Sequence, residues 1–214
     1  MPNWTANELY VSFSNKEEKE QFKQIATFQD QPFSFNGFIP MPDRMLETTS
    51  PHQEPEEFIY KLNLRNKTNY KNLTDVVNNA DKWYADIAVS ISYNMEFYRK
   101  IGFHNWHDWS IHHWGTKWDA RHSQLIQETD TSLSYNFDTA WDTPETFFRS
   151  LFAMYPHLKF RVVTFSIESD YYYEIEKVDD KYVATNEYES FREAIEDGKL
   201  GGVSEWQDLF IDED

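Results

Sequence analysis

Lys159-Phe160-Arg161-Val162-Val163-Thr164-Phe165-Ser166-Ile167-Glu168 is the stretch from which the fold of this chain is read. Its apolar residues Phe160, Val162, Val163, Phe165 and Ile167 fall on both sides of an extended backbone, as in a central strand covered on both faces. Glu168-Ser169-Asp170 is turn-forming, and Tyr171–Val178 is the expected hairpin partner. Upstream, Leu133, Tyr135, Phe137, Thr139 and Trp141 share one face of a second strand, with Ser134, Asn136, Asp138 and Asp142 on the other. Thr143-Pro144 opens a helix between these strands. Pro at the first helical position loses only an orphan amide, and Phe147, Phe148, Leu151, Phe152 and Tyr155 form the buried side. At the amino-terminal end, alternation of Leu9, Val11 and Phe13 predicts a further strand. Ser14-Asn15-Lys16-Glu17 fits a capping box for a helix over residues 15–28, with Phe22, Ile25 and Ala26 facing inward. Strand, helix, then strand, helix, strand, strand predicts an α+β fold: an antiparallel sheet with helices on one face.

The middle of the chain reads differently. Five of the eight prolines fall between Pro32 and Pro55 among Phe33, Phe35, Phe38 and Ile39, an irregular stretch too aromatic for a free linker. From Leu73, the residues Val76, Val77, Ala80, Tyr84, Ile87, Ile91 and Tyr98 recur at helical spacing, predicting one long helix or two joined by a kink, ending near Gly102. Asn105 then caps a short helix through Trp106, Trp109, Ser110 and His113 that stops at Gly115. A final acidic helix is expected near Glu187–Asp197.

The 214 residues include no cysteine, which removes disulfides, thiolate zinc sites, iron–sulfur clusters and cysteine nucleophiles. Aromatic residues make up 18%, enough for a real core. Against 20 Lys and Arg stand 37 Asp and Glu, a net of −17, and residues 168–214 alone hold 16 acids and 4 bases. Such a surface disfavours direct binding to nucleic acid or anionic membranes, both of which need clustered Lys and Arg. It favours a basic partner. There is no run of 18 apolar residues, and Met1-Pro2-Asn3-Trp4 has neither a basic region nor an apolar signal core, so a cytoplasmic location is expected.

Several phrases then carry a resemblance: Asn3-Trp4-Thr5-x-Asn7-x-Leu9, Phe33-Ser34-Phe35-Asn36-Gly37-Phe38-Ile39-Pro40-Met41-Pro42, Asn105-Trp106-His107-Asp108-Trp109 continuing to Trp114-Gly115-Thr116-Lys117-Trp118-Asp119, and Phe137-Asp138-Thr139-Ala140-Trp141. Together they resemble the YubB-like family of phage and plasmid proteins over residues 1–45 and 103–167. The resemblance implies a ferredoxin-like domain and a mobile-element origin, and no established activity. It divides the chain into a ferredoxin-like α+β core (1–54 and 103–178), a helical insertion (55–102) and an acidic carboxyl-terminal extension (179–214). Where this chain has Ser110 and His112-His113, the family's pattern tends to a cysteine followed by Glu-Asn.

Two clusters carry candidate chemistry. Trp106, Trp109, Trp114, Lys117, Trp118, Asp138 and Trp141 form the candidate binding set, whether as core, partner hot spot or wall of a small-ligand pocket, with Asp138 placed to pair with Lys117 or His113. His104, His107 and His113 with Asp138 form a candidate metal set for a hydrolase. No nucleophile elbow or phosphate loop occurs, and no cofactor is implied. The leading expectation is a non-enzymatic interaction protein from a phage or plasmid. It would bind a basic host protein, either a defence factor or a nucleic-acid-handling one, by nucleic-acid mimicry. The alternatives are the metal-dependent hydrolase and the small-ligand binder.

Overall fold

A computed structural model gives the architecture of residues 3–178, 181–188 and 190–199, and the statements below concern those residues. In chain order the elements are β1 (Trp4–Ser12), α1 (Lys16–Ala26), α2 (Phe35–Phe38), a 3-10 turn (Met45–Glu47), α3 (Pro55–Asn66), α4 (Leu73–Asn79), α5 (Lys82–Ile101), α6 (Trp106–Trp114), β2 (Arg121–Glu128), β3 (Ser132–Ala140), α7 (Glu145–Met154), β4 (Lys159–Ser166), β5 (Tyr171–Val178), β6 (Lys181–Tyr188) and α8 (Phe191–Glu196). They form two compact units: a sheet unit, Met1–Phe38 with Trp118–Asp214, and a helical unit, Ile39–Lys117. The helical unit thus takes in the proline-rich segment before α3 and the tryptophan-rich α6, both outside the 55–102 insertion read from sequence.

In the sheet unit, six strands lie in the order β2-β3-β1-β4-β5-β6, every neighbouring pair antiparallel. β4 sits between β1 and β5, and both its faces are buried, as its sequence predicts. On the first face, Phe160 packs on Phe22 of α1 and Phe152 of α7, while Phe137 of β3 contacts Phe35 of α2 and stacks on Phe33. Burial of each such ring contributes roughly 1.5–3 kcal/mol. On the second face, Val163, Phe165 and Tyr172 pack against Phe191 and Ala194 of α8. Helices therefore lie on both faces rather than one.

The acidic extension contributes to this. The helix expected near Glu187–Asp197 is the shorter α8, and strand β6, absent from the reading, precedes it; the first amide of α8, that of Phe191, donates to Asp170 Oδ1 at 2.9 Å. Residues 200–214 of the extension lie outside the described residues. Strand β2 was also unexpected: its burial pattern is exposed almost throughout, so it shows no inward face in sequence.

Two caps shift by one position from the reading. Asn15, not Ser14, caps α1: its side chain accepts from Glu18 N at 2.9 Å, and Glu18 Oε2 accepts from Ser14 N at 3.0 Å. Pro144 occupies the cap of α7 rather than its first turn, and the Thr143 hydroxyl bonds Thr164 at 2.7 Å instead of the helix. That bond belongs to a buried polar network. Asn7 donates to Thr139 Oγ1 at 3.0 Å and accepts from Thr164 Oγ1 at 3.1 Å, so the inward polar residues of β1 and its neighbours are paired as their burial demands.

The phrase Phe33-Ser34-Phe35-Asn36-Gly37-Phe38 has a structural explanation. Asp119 accepts from Ser34 Oγ (2.6 Å), Phe35 N (2.6 Å) and Asn36 Nδ2 (2.8 Å), tying the short helix α2 to the start of β2. A Cβ on Gly37 would stand 1.9 Å from the Ile25 carbonyl oxygen, so only glycine permits this approach to α1.

The helical unit is built on Leu62, Val76 and Ala88, with Phe58, Tyr70 and Tyr84 packed around them. Of the two readings, one long helix or two, the second holds: α4 and α5, divided at Ala80 and Asp81; α5 ends as expected at Gly102, φ 81°. Buried Asn94 of α5 pins the loop before α3, donating to Thr49 O at 2.7 Å and accepting from Thr49 N at 3.1 Å.

Candidate interaction site

On the α8 side of the sheet β1 begins with Trp4, because Thr5, Asn7, Leu9 and Val11 point to the other face. Opposite it, β2 opens with an irregularity between Arg121 and Gln124, within which His122 takes φ 50°. A bulge re-aims a side chain. Here the His122 ring meets Trp4 edge-on at 5.7 Å, and its Nδ1 lies 2.8 Å from Asp138 Oδ2 of β3. Trp118 sits 6.0 Å from Trp4, and the Arg121 guanidinium stands 6.0 Å from the Trp118 ring centre. Trp141 follows β3 at φ 78°, its amide donating to Asn3 O at 2.8 Å and its side chain 57% exposed.

Beside this patch is an open recess of about 210 Å³ lined by Trp4, Ala6, Asp138, Phe165, Ile167 and Glu168. The register explains it. Ala6 lies between Asp138 and Phe165 on the neighbouring strands, and its small side chain leaves a hollow that the large residues around it wall in.

The helical unit holds the rest of the residues singled out from sequence. Asn105 caps α6, accepting from Asp108 N at 3.0 Å, and Gly115 ends it at φ 77°, both as read. Trp109 and Trp114 are buried and meet edge-to-face at 5.1 Å, and the Trp114 indole donates to Ile39 O at 3.1 Å. They are core of this unit, so the tryptophan-lined ligand pocket loses two of its walls. Trp106 is half-buried, with Lys117 Nζ 6.0 Å from its ring centre.

The four proposed metal ligands have separate surroundings. His104 packs on His52 (3.8 Å) and Tyr98 (4.1 Å), His107 lies by Trp106 and Asp108, and His113 contacts Trp109 and Phe103. Burial, then the neighbouring His52, lowers the pKa of His104; burial, then His112, lowers that of His113. Asp138 belongs to the sheet unit, where it pairs with His122; Lys117 and His113 belong to the helical unit. Among the described residues no group of three or more His, Asp or Glu is arranged to hold a metal ion.

Trp4, Arg121 and His122 were missed as site residues. Trp4 could have been found, since continuing the alternation of Leu9 and Val11 back to Thr5 places it on the face opposite to theirs. His122 could not, because its position depends on the bulge.

The fold and patch define an α+β protein whose six-stranded antiparallel sheet presents tryptophan, histidine and carboxylate side chains at one end. No protein-family model matches the chain, and no curated protein does. Among solved structures the chain is similar to the crystal structure of a protein api92 from Yersinia pseudotuberculosis, described with the family-model DUF1281. Identity is 11%, the match covers 89% of this chain and 99% of that one, and the TM-score is 0.48.

Proposed function

We propose that this chain is a stoichiometric interaction protein that docks on a basic partner through its sheet unit. The carrying observation is how charge divides between the units. Residues 39–117 hold 10 acidic and 9 basic side chains, net −1, whereas the described residues of the sheet unit hold 19 acidic and 11 basic, net −8. A field of one sign over one unit steers and orients an oppositely charged partner.

In this reading β1–α1–β2–β3–α7–β4 is the ferredoxin-like part, supported by the strand order β2-β3-β1-β4 with helices following β1 and β3, and β5, β6 and α8 extend it. The protein is a YubB-like product of a phage or plasmid, cytoplasmic, and its target is a host defence or nucleic-acid-handling protein whose basic surface normally meets nucleic acid. No helix among the described residues is long and apolar enough to cross a membrane. The hydrolase reading has no assembled metal ligands among the described residues to support it.

The test is affinity purification of the full chain from bacterial extract, with native mass spectrometry to identify a stoichiometric basic partner. Its association rate is then measured against salt. The rate is expected to fall by at least about tenfold between low and physiological ionic strength. A partner whose on-rate ignores salt overturns the proposal.

A further inference from the structure

We propose that the recess beside Trp4 receives an arginine side chain of the basic partner. The proposal rests on the docking role argued above and names its anchor. Trp4 supplies an aromatic wall, and Ala6, Phe165 and Ile167 supply apolar surface for the methylene stem. Two carboxylates, Asp138 and Glu168, belong to the same lining.

Their pairing leaves them available. Asp138 is engaged through Oδ2 by His122 Nδ1, which leaves Oδ1 for a ligand, and its side chain is 33% exposed. Glu168 has no hydrogen-bond or ion-pair partner among the described residues. Arg121 lies across the ladder from Asp138, yet its guanidinium stands by Trp118 instead. An aromatic wall with carboxylates is the chemistry that recognises a cation. Arginine suits it better than lysine. A planar guanidinium can lie against an indole while its N–H groups reach carboxylate oxygens, and it is less strongly hydrated than an ammonium.

The probe is a hexa-arginine peptide titrated into the 15N-labelled full chain at low salt, read by the indole N–H resonances of Trp4 and Trp118. Two doubly neutralised variants are compared: Asp138→Asn with Glu168→Gln in the recess, and Glu17→Gln with Asp30→Asn at exposed positions elsewhere on the sheet unit. The wild type is expected to bind with a saturable shift of the Trp4 indole. The recess variant is expected to weaken binding at least about tenfold, and the control variant to stay within about threefold. Equal weakening in both variants, or binding without a Trp4 shift, overturns the recess and leaves acidic docking standing. No binding of the peptide by the wild type overturns both.

Discussion

His104 shows how a single residue can set the pH response of a unit. Its ring is wedged between His52 and Tyr98, and its Nε2, like both ring nitrogens of His52, is buried without a hydrogen-bond partner. The carboxylates near the pair are Glu54, with Oε1 3.6 Å from His52 Nε2, and Asp108. Burial outweighs them and lowers the pKa of His104. An unfolded histidine titrates near about 6.5. Below that pH the unfolded chain binds a proton that the folded unit resists, so stability is full above about pH 6.5 and declines as pH falls toward the lower folded value. The thermal midpoint followed by tryptophan fluorescence is expected to drop between pH 7.5 and 5, and His104→Phe to flatten that drop. An unchanged pH profile in the variant would refute this role. Acid loss at Glu128 falls in another window. Hydrogen bonds from Lys19 and Lys23 hold its pKa down to about 2, so its contribution is lost only as pH falls below the ordinary carboxylate range.

Among the elements, the short helix α2 depends on a carboxylate far away in sequence. With Asp119 replaced by Ala, the buried Ser34 hydroxyl and the Phe35 amide lose their acceptor. Hydrogen bonds to a charged group contribute about 1.5–3 kcal/mol each and are not additive, so Asp119→Ala is expected to cost about 3 kcal/mol in urea denaturation, with Asn recovering part. A cost under about 0.5 kcal/mol would show that α2 is held by its phenylalanines alone. The same scale shows why some elements were legible. Strand β4 and its hairpin partner β5 bury Phe160, Val162, Val163, Phe165, Tyr172 and Ile175, with Thr164, Ser166 and Glu174 as the buried polar positions. β2 and β6 are edge strands whose main contribution is backbone hydrogen bonding, which leaves no periodic mark. Asn15 and Ser14 are both good caps, so the choice between them lay with the geometry around Glu18.

For the whole molecule, charge is the dominant quantity, and it belongs to one unit. Because exposed charges are screened beyond roughly 8 Å at physiological salt, only acids near the docking face accelerate encounter. Neutralising Asp138 and Glu168 of the recess to amides is therefore expected to slow association with a basic partner several-fold in stopped-flow measurements. Neutralising Asp43, Glu56, Asp81 and Asp86 of the helical unit is expected to leave the rate nearly unchanged. Equal slowing by both sets would place the docking face outside the sheet unit. The candidate site was only partly legible at this scale. Trp118, Asp138 and Trp141 belong to the outward end of the sheet, while Trp109 and Trp114 proved to be core of the helical unit.

By itself the sequence determined the class of fold, the two-sided burial of β4, the ends of α5 and α6 at Gly102 and Gly115, and the acidic field. These are properties of local pattern, backbone conformation and summed charge, which need no knowledge of neighbours. Only the tertiary structure decided that α8 closes the second face, that β2 and β6 join the sheet, that Asp138 pairs with His122, and that Ala6 leaves a recess beside Trp4. Each of these depends on partners distant in sequence, brought together by strand register and by a bulge that no short window of residues encodes.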